Sequence, residues 1–169
     1  MLHAWDNFFN LAGQAAATLM GLIFVAVTVV TGFSTSRIME GARGFLTPTL
    51  VHFGIVLLQV LALLAPWSSA WPLGIVLGLL GLAGLGYQVK AIFTRQQVGS
   101  DLLKGLDLLP WLGVPALGYT SMIVGAVGLI ARKSFAPYAM AGATMLLLFA
   151  GAYAAWDLTL WIVTNRDKT

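Results

Sequence analysis

The stretch Leu73–Ile92 reads LGIVLGLLGLAGLGYQVKAI and decides the fold. Lys90 is its single charged residue, and roughly 20 apolar helical residues suffice to cross a hydrocarbon core about 30 Å thick. A membrane β-strand would alternate apolar and polar residues, and this stretch does not. Because lipid offers the backbone no hydrogen-bond partners, we expect a transmembrane α-helix.

Four further stretches have a similar length and composition. The whole chain is 59% hydrophobic and 9% charged, whereas soluble domains have about 25% charged residues. The sequence therefore predicts an all-α, polytopic transmembrane helical bundle, with residues 1–169 forming a single transmembrane domain. The five predicted spans cover about 8–32, 46–65, 73–92, 109–131 and 136–163.

Lys and Arg are distributed unequally between the two sides of the predicted membrane. Only Arg132 and Lys133 lie on one side. The other side holds Arg37, Arg43, Lys90, Arg95, Lys104, Arg166 and Lys168. Cations in short loops are retained in the cytoplasm, so we expect the N-terminus outside and the C-terminus inside. Cations scattered singly form no basic face for nucleic acid, which we exclude as a partner.

The N-terminal residues resemble the opening of a group of membrane proteins. Trp5-Asp6-Asn7-Phe8-Phe9 is followed by Gly13, Ala15-Ala16-Ala17, Leu19 and Gly21-Leu22-Ile23-Phe24-Val25-Ala26. This pattern resembles the start of small, uncharacterised bacterial multi-span inner-membrane proteins. The resemblance covers the first 26 residues. It implies a multi-pass protein of the bacterial inner (cytoplasmic) membrane and implies no activity.

Small residues recur three or four positions apart in four of the predicted spans, so that they share a helix face. The rows are Gly13, Ala17 and Gly21; Gly74, Gly78 and Gly81; Gly118, Ser121, Gly125 and Gly128; and Ala139, Ala143 and Ala150. Such rows let helices pack at short distance in lipid. They are more numerous than one compact bundle needs, so we expect a homo-oligomer or a membrane protein partner.

Two ionisable residues, His52 and Asp157, lie inside predicted spans at matched depth in the cytoplasmic third of the membrane. A charged side chain at a helix centre costs roughly 2.5–3.5 kcal/mol, so such residues usually face protein or water. We hypothesise that the two pair directly or through a water. The alternative is that both are interfacial groups capped by neighbours. Tyr153, Thr28 and Gln88 reach a similar depth and complete a candidate intramembrane polar cluster.

A second set of polar residues forms a candidate polar seam. Asn10, Gln14 and Thr18 share one face of the first span at spacings of four. Gln59 lies two turns deeper than His52 on the second span. This seam predicts either tight helix packing or the lining of a hydrated path.

The sequence predicts no catalytic residue, cofactor or metal ligand. The chain has no cysteine, which excludes thiolate metal sites. It has no His-Glu-x-x-His motif. A haem held by two histidines would need a partner for His52, and His3 is predicted at the opposite surface.

Three functions follow from these features. The first is a non-catalytic integral membrane protein, acting as an accessory subunit or a self-associating scaffold in the lipid bilayer. The second is a small oligomeric channel or transporter that uses the polar seam. The third is a cofactor-binding or catalytic membrane protein that uses His52 and Asp157.

Overall fold

The computed structural model describes the backbone of residues 2–33, 36–98 and 109–165, and side chains within 4–28, 47–91, 93 and 111–160. These ranges contain helices and turns and no strand. A 3-10 turn at Leu2–Trp5 precedes the first α-helix, and a π-helical turn at Leu109–Gly113 precedes the fourth. The α-helices are α1 (Asp6–Phe33), α2 (Ser36–Leu64), α3 (Ala70–Val98), α4 (Val114–Ile130) and α5 (Ala136–Asn165).

Five of the described helical segments are long and apolar enough to cross a membrane, as the sequence predicts. They are Asp6–Thr28, Thr47–Leu64, Ala70–Ala91, Trp111–Ile130 and Ala136–Leu160. Two helices extend well beyond the predicted spans. Helix α2 begins at Ser36 instead of near residue 46, and α3 continues to Val98. The added turns carry charged residues. Because the spans are predicted from the length of apolar runs, the prediction leaves these turns out.

Helices α2, α3, α4 and α5 form a four-helix bundle in which each helix packs against the next and α5 packs against α2. The side chains that fill its centre are fully buried and apolar. They include Val56, Leu77, Met122, Met140 and Leu147. Their burial removes the core from both water and lipid, and close packing in lipid relies on such van der Waals contact.

Helix α1 lies outside this bundle. It packs mainly on α2, where Phe9, Ala12 and Ala16 are buried. At one end of α1, the rings of Trp5 and Tyr138 meet edge to face, with centroids 4.9 Å apart, and this contact joins α1 to the start of α5. Further along, a groove of about 360 Å³ separates α1 from α5. One face of α1 is therefore covered by the protein and the opposite face is open.

Helices α3 and α4 pack through glycines, which confirms the predicted close packing of their small residues. Gly74, Gly78, Gly81 and Gly84 face, in that order, Ile130, Ala126, Ile123 and Tyr119. A Cβ added at Gly74 would lie 3.0 Å from the carbonyl oxygen of Ala126, so the missing side chain lets the backbones approach. On α1, by contrast, Gly13 meets Val60 while Gly21 has nothing within 4 Å.

The two described turns between helices have different structures. Between α4 and α5, the Lys133 N–H donates to the Gly128 carbonyl at 2.8 Å and the Arg132 N–H donates to the Leu129 carbonyl at 3.1 Å. This is a Schellman motif, and Arg132 occupies its left-handed position (φ 53°), where glycine is usual. The reversal between α2 and α3 lies at 65–69. Pro72 falls in the first turn of α3, where an N–H has no helical partner.

Candidate functional site

A hydrogen bond between His52 of α2 and Tyr119 of α4 joins diagonally opposite helices of the bundle. The Nδ1 atom of His52 lies 2.7 Å from the Tyr119 hydroxyl oxygen, and the ring centroids are 5.8 Å apart. The two side chains are 3% and 0% exposed. The tautomer of the imidazole decides which of the two groups donates. Each residue satisfies the polar group of the other in the buried interior of the bundle.

A gap in α3 holds the Tyr119 ring. Gly84 faces this ring, and a Cβ at Gly84 would overlap the Cε1 and Cδ1 atoms of Tyr119. The missing side chain therefore makes the space into which the ring fits. With the ring held against Gly84 and the hydroxyl bonded to His52, the position of Tyr119 is fixed at both ends.

Asp157 of α5 is bonded to the turn that precedes α4. The indole Nε1 of Trp111 donates to Oδ2 of Asp157 at 2.7 Å. The backbone carbonyl of Trp111 accepts a hydrogen bond of 2.9 Å from Nε2 of Gln88, which lies on α3. Trp111 thus connects α3 and α5 at the entrance of α4.

Pro115 explains why Gln88 is needed at this position. In a regular α-helix the N–H of residue 115 would donate to the carbonyl of residue 111. Proline has no N–H, so the Trp111 carbonyl lacks this helical donor. The Gln88 amide supplies a donor instead, and a free carbonyl would be costly in a dry interior.

A small cavity of about 20 Å³ lies between these two hydrogen-bonded groups. Its lining consists of Pro48, His52, Tyr87, Gln88, Ala91, Trp111 and Leu112. A cavity needs roughly 10–15 Å³ of such space to hold one water molecule. We call His52, Tyr119, Gln88, Trp111 and Asp157 the polar layer. It has room for a single bridging water between its His52 and Trp111 ends.

In the structure, His52 and Asp157 do not form a direct hydrogen bond with each other. Each has its own described partner, Tyr119 for His52 and Trp111 for Asp157. The sequence predicts a common depth for the two, and in the structure His52 lines the same small cavity as Trp111, the partner of Asp157. The sequence does not indicate which aromatic side chains lie beside His52 and Asp157 and form hydrogen bonds with them.

The remaining members of the predicted polar cluster occupy three environments. Gln88 belongs to the polar layer. Tyr153 is half-buried on α5, with its ring centroid 6.4 Å from that of Phe149. Thr28 is exposed on α1, and its hydroxyl donates to the Phe24 carbonyl of the same helix at 2.8 Å. Since α1 lies outside the bundle, Thr28 is separated from the polar layer.

Gln59 lies in the middle of the bundle and is fully buried. Its Nε2 donates to the Met140 carbonyl at 3.1 Å, while its Oε1 has no hydrogen-bond partner. Between Gln59 and His52, the same face of α2 carries Val56, which is also fully buried. Apolar packing thus separates Gln59 from the polar layer, and the described interior contains no continuous polar path.

The seam residues Asn10, Gln14 and Thr18 do not share a face with Gln59. All three are exposed. At 100° per residue they lie roughly 150° around α1 from the buried Phe9 and Ala16. The apolar side of α1 packs on α2, so its polar side points away from the bundle. Within the described part of the chain, none of the three side chains has a hydrogen-bond partner.

Small residues lie beside these polar groups on α1. Ala17 is exposed, and Gly21 has nothing within 4 Å of where its Cβ would be. We call Asn10, Gln14, Ala17, Thr18 and Gly21 the outward face of α1. It combines side-chain amides, a hydroxyl and room for a close helix approach.

Sequence reasoning missed Tyr119 and the role of Trp111. Trp111 lies near the end of a predicted span, where a tryptophan usually occupies the membrane interface. Two signals were present: a tyrosine hydroxyl in the interior of a span, and a proline four residues after Trp111, which leaves a carbonyl without its helical donor.

No protein-family model, curated protein or solved structure matches this chain.

Proposed function

We propose that this chain is a non-catalytic integral membrane protein that acts as an accessory subunit or a self-associating scaffold. It associates with another membrane-embedded helix through the outward face of α1. The observation that carries this proposal is the exposure of Asn10, Gln14 and Thr18 on the side of α1 that the bundle leaves uncovered.

The physical chemistry of an amide in lipid favours association. Moving an amide from water to a hydrocarbon without a hydrogen bond costs about 4–8 kcal/mol on cyclohexane scales. A hydrogen bond between membrane helices recovers roughly 0.6–2 kcal/mol relative to competing partners. A partner helix that covers Asn10 and Gln14 satisfies both amides and is therefore favoured over lipid contact.

The exposed faces of the other helices suit lipid. On α3 they carry Leu79 and Leu82, on α4 Leu117 and Val127, and on α5 Phe149. These side chains are apolar and more than half exposed, as expected for contact with acyl chains. The outward face of α1 differs from them in polarity and in size, which supports its assignment as the association surface.

The interior of the bundle supports a structural role for its polar groups. His52 and Asp157 are each bonded to an aromatic side chain, and Gln88 satisfies a backbone carbonyl. Each of these bonds crosses between helices. Such contacts hold helices together in a membrane.

The proposal includes an orientation and a location. The N-terminus lies outside and the C-terminus in the cytoplasm of a bacterial inner membrane. The orientation is supported by the distribution of Lys and Arg, although the side chains of Arg37, Arg43, Arg95, Lys104, Arg166 and Lys168 lie outside those described. The location is supported by the resemblance of the first 26 residues.

A second candidate function uses the same face. In a ring of several copies with α1 at the centre, Asn10, Gln14 and Thr18 would line an axial path. These residues span about 12 Å along the helix at 1.5 Å per residue. The observation that favours a small oligomeric channel or transporter is the polarity of this face, together with the lack of a continuous polar path through the described interior of one protomer.

A photo-crosslinking residue at Thr18 tests the first proposal in the living membrane. The control carries the same residue at Leu82, which is 57% exposed and near the middle of the α3 span. We expect protein adducts from Thr18 and none from Leu82. Equal yields of protein adducts at both positions, or none at Thr18, would contradict the proposal.

Flux into liposomes separates the two functions. Purified protein that raises ion or solute leak above that of empty liposomes, with the leak reduced by Gln14→Leu, would support the channel. A leak equal to that of empty liposomes would leave the outward face of α1 as an association surface only.

A further inference from the structure

We infer that the outward face of α1 binds the same face of a second copy of this chain, in a parallel two-fold pair centred on Gln14. This inference rests on the proposed function and names its partner. Three properties of the outward face lead to it: the chemistry of the amide, the depth of the residue and the space around it.

The amide of Gln14 is complementary to itself. A primary amide has two N–H donors and one carbonyl acceptor, so two glutamine side chains can bond to each other reciprocally. No residue of the outward face is charged. The face therefore requires no partner of opposite charge, and an identical face satisfies it.

Insertion in one orientation fixes the symmetry. All copies have the same direction through the membrane, so a two-fold axis that relates two of them stands perpendicular to the bilayer. Residues near such an axis meet their own counterparts at equal depth. Gln14 of one copy then lies beside Gln14 of the other, and Asn10 beside Asn10. A second copy therefore presents a matching polar group at the required depth.

Small residues next to Gln14 allow the two helices to approach. Ala17 and Gly21 are four positions apart, which is the small-xxx-small spacing of close helix pairs. A side chain at Gly21 would meet nothing in its own chain within 4 Å, whereas Gly13 already packs against Val60. The two small rows of α1 thus serve different neighbours, Gly13 facing the bundle and Gly21 facing the second copy.

Disulfide cross-linking tests the contact directly, because the natural chain has no cysteine. In liposomes of purified full-length protein, Asn10→Cys, Ala17→Cys and Gly21→Cys should each form a disulfide-linked dimer on mild oxidation. Ala12→Cys, which faces α2, and Leu82→Cys on the outside of α3 are the controls. Cross-linking at the control positions equal to that at the outward face, or none at the outward face, would overturn the inference.

A matched pair of glycine substitutions measures the energetics. Gly21→Ile and Gly86→Ile both place a side chain where nothing lies within 4 Å, so both protomers should fold. Gly21→Ile should abolish the dimer, and Gly86→Ile should leave its dissociation constant unchanged. Gln14→Leu should raise that constant roughly 3- to 30-fold, the range expected for an interhelical amide bond. Equal dimer affinity for the two glycine variants would overturn the inference.

The detergent-corrected mass of the purified protein completes the test. A mass of two chains supports the pair, and a mass of one chain, or of more than two, overturns it. Failure here is distinguishable from failure of the proposed function. A monomer that still gives protein adducts at Thr18 in cells has a different partner, whereas a chain without such adducts has no protein on this face.

Discussion

The indole of Trp111 and the carboxylate of Asp157 form a 2.7 Å hydrogen bond between the entrance of α4 and the span of α5. A carboxylate inside a span is costly unless a donor faces it. Because the Gln88 amide also holds the Trp111 backbone at 2.9 Å, the donor is fixed by a third helix. Three helices thus cooperate to accommodate one ionisable residue.

We expect Trp111→Phe to destabilise the protein more than Asp157→Asn does. The phenyl ring removes the donor and leaves the carboxylate unsatisfied, which costs about 1.5–3 kcal/mol for a bond to a charged group. The asparagine keeps an acceptor oxygen for the indole. Unfolding by SDS titration in mixed micelles gives both values. The double variant Trp111→Phe/Asp157→Leu should recover part of the loss, and no recovery would contradict the pairing.

Gly84→Ala should be much more damaging than Gly86→Ala, although the two glycines are two positions apart on α3. The new Cβ at residue 84 overlaps the Tyr119 ring, which cannot move away because His52 holds its hydroxyl. Overpacking of this kind costs about 1–3 kcal/mol. At residue 86 the Cβ meets nothing within 4 Å. Unfolding free energies of the two variants measure the difference, which should shrink in a Tyr119→Ala background.

The substitution Gln88→Met should destabilise the bundle, and its effect should depend on Pro115. Methionine has a similar length but no N–H donor, so the Trp111 carbonyl loses its bond to Gln88. The expected cost is about 1–3 kcal/mol. In a Pro115→Ala background, residue 115 regains its own N–H for the same carbonyl. A double-mutant cycle in SDS unfolding should therefore show coupling of at least about 0.5 kcal/mol, and additive effects would contradict this explanation.

In contrast, Gln59→Met should change stability by less than about 1 kcal/mol or increase it. The Oε1 atom of Gln59 already lacks a partner, and the Met140 carbonyl keeps a 2.9 Å bond from the Thr144 hydroxyl. Replacing a half-satisfied buried amide by an apolar group of similar shape is close to neutral. The two glutamine variants, at 59 and at 88, are controls for each other. A larger loss at 59 than at 88 would contradict both assignments.

The proposed orientation predicts which cysteines react from outside the cell. Ser134→Cys, in the exposed turn after α4, should react with a membrane-impermeant maleimide in intact cells. Ser100→Cys should react only after the membrane is permeabilised. The two variants have the same chemistry on a chain without other cysteines. The reverse pattern of labelling would contradict the proposed orientation and indicate the opposite topology.

The sequence predicts the five apolar helices well because membrane thickness sets a minimum length for each apolar run. It also identifies the glycine face through which α3 packs closely, since glycine spacing alone makes a smooth helix face, but it does not indicate that α4 is the helix on that face. The charged turns at the start of α2 and the end of α3 escape prediction. These turns are helical but lie outside the apolar runs from which the spans are predicted.

The sequence predicts the depth of the polar residues in the membrane, but it does not predict their hydrogen-bond partners. Position along the sequence gives the height of His52 or Asp157 in the membrane, because each residue rises 1.5 Å. Which helix lies beside it depends on the order of the helices around the bundle, and this order follows from the sum of many packing contacts. For the same reason the pattern of Asn10, Gln14 and Thr18 shows that they share a face without showing where that face points.

The row of glycines on α3 has a consequence for how the protein assembles. Its four steps match four side chains of unequal size on α4, with the aromatic ring seated at Gly84. Sliding either helix by one turn would bring that ring against a residue with a Cβ, or leave an empty notch opposite a smaller group. The fit between the glycines and these side chains therefore favours one register of α3 against α4. The alignment of α3 with α4 is thus encoded in the contacting faces of the two helices themselves.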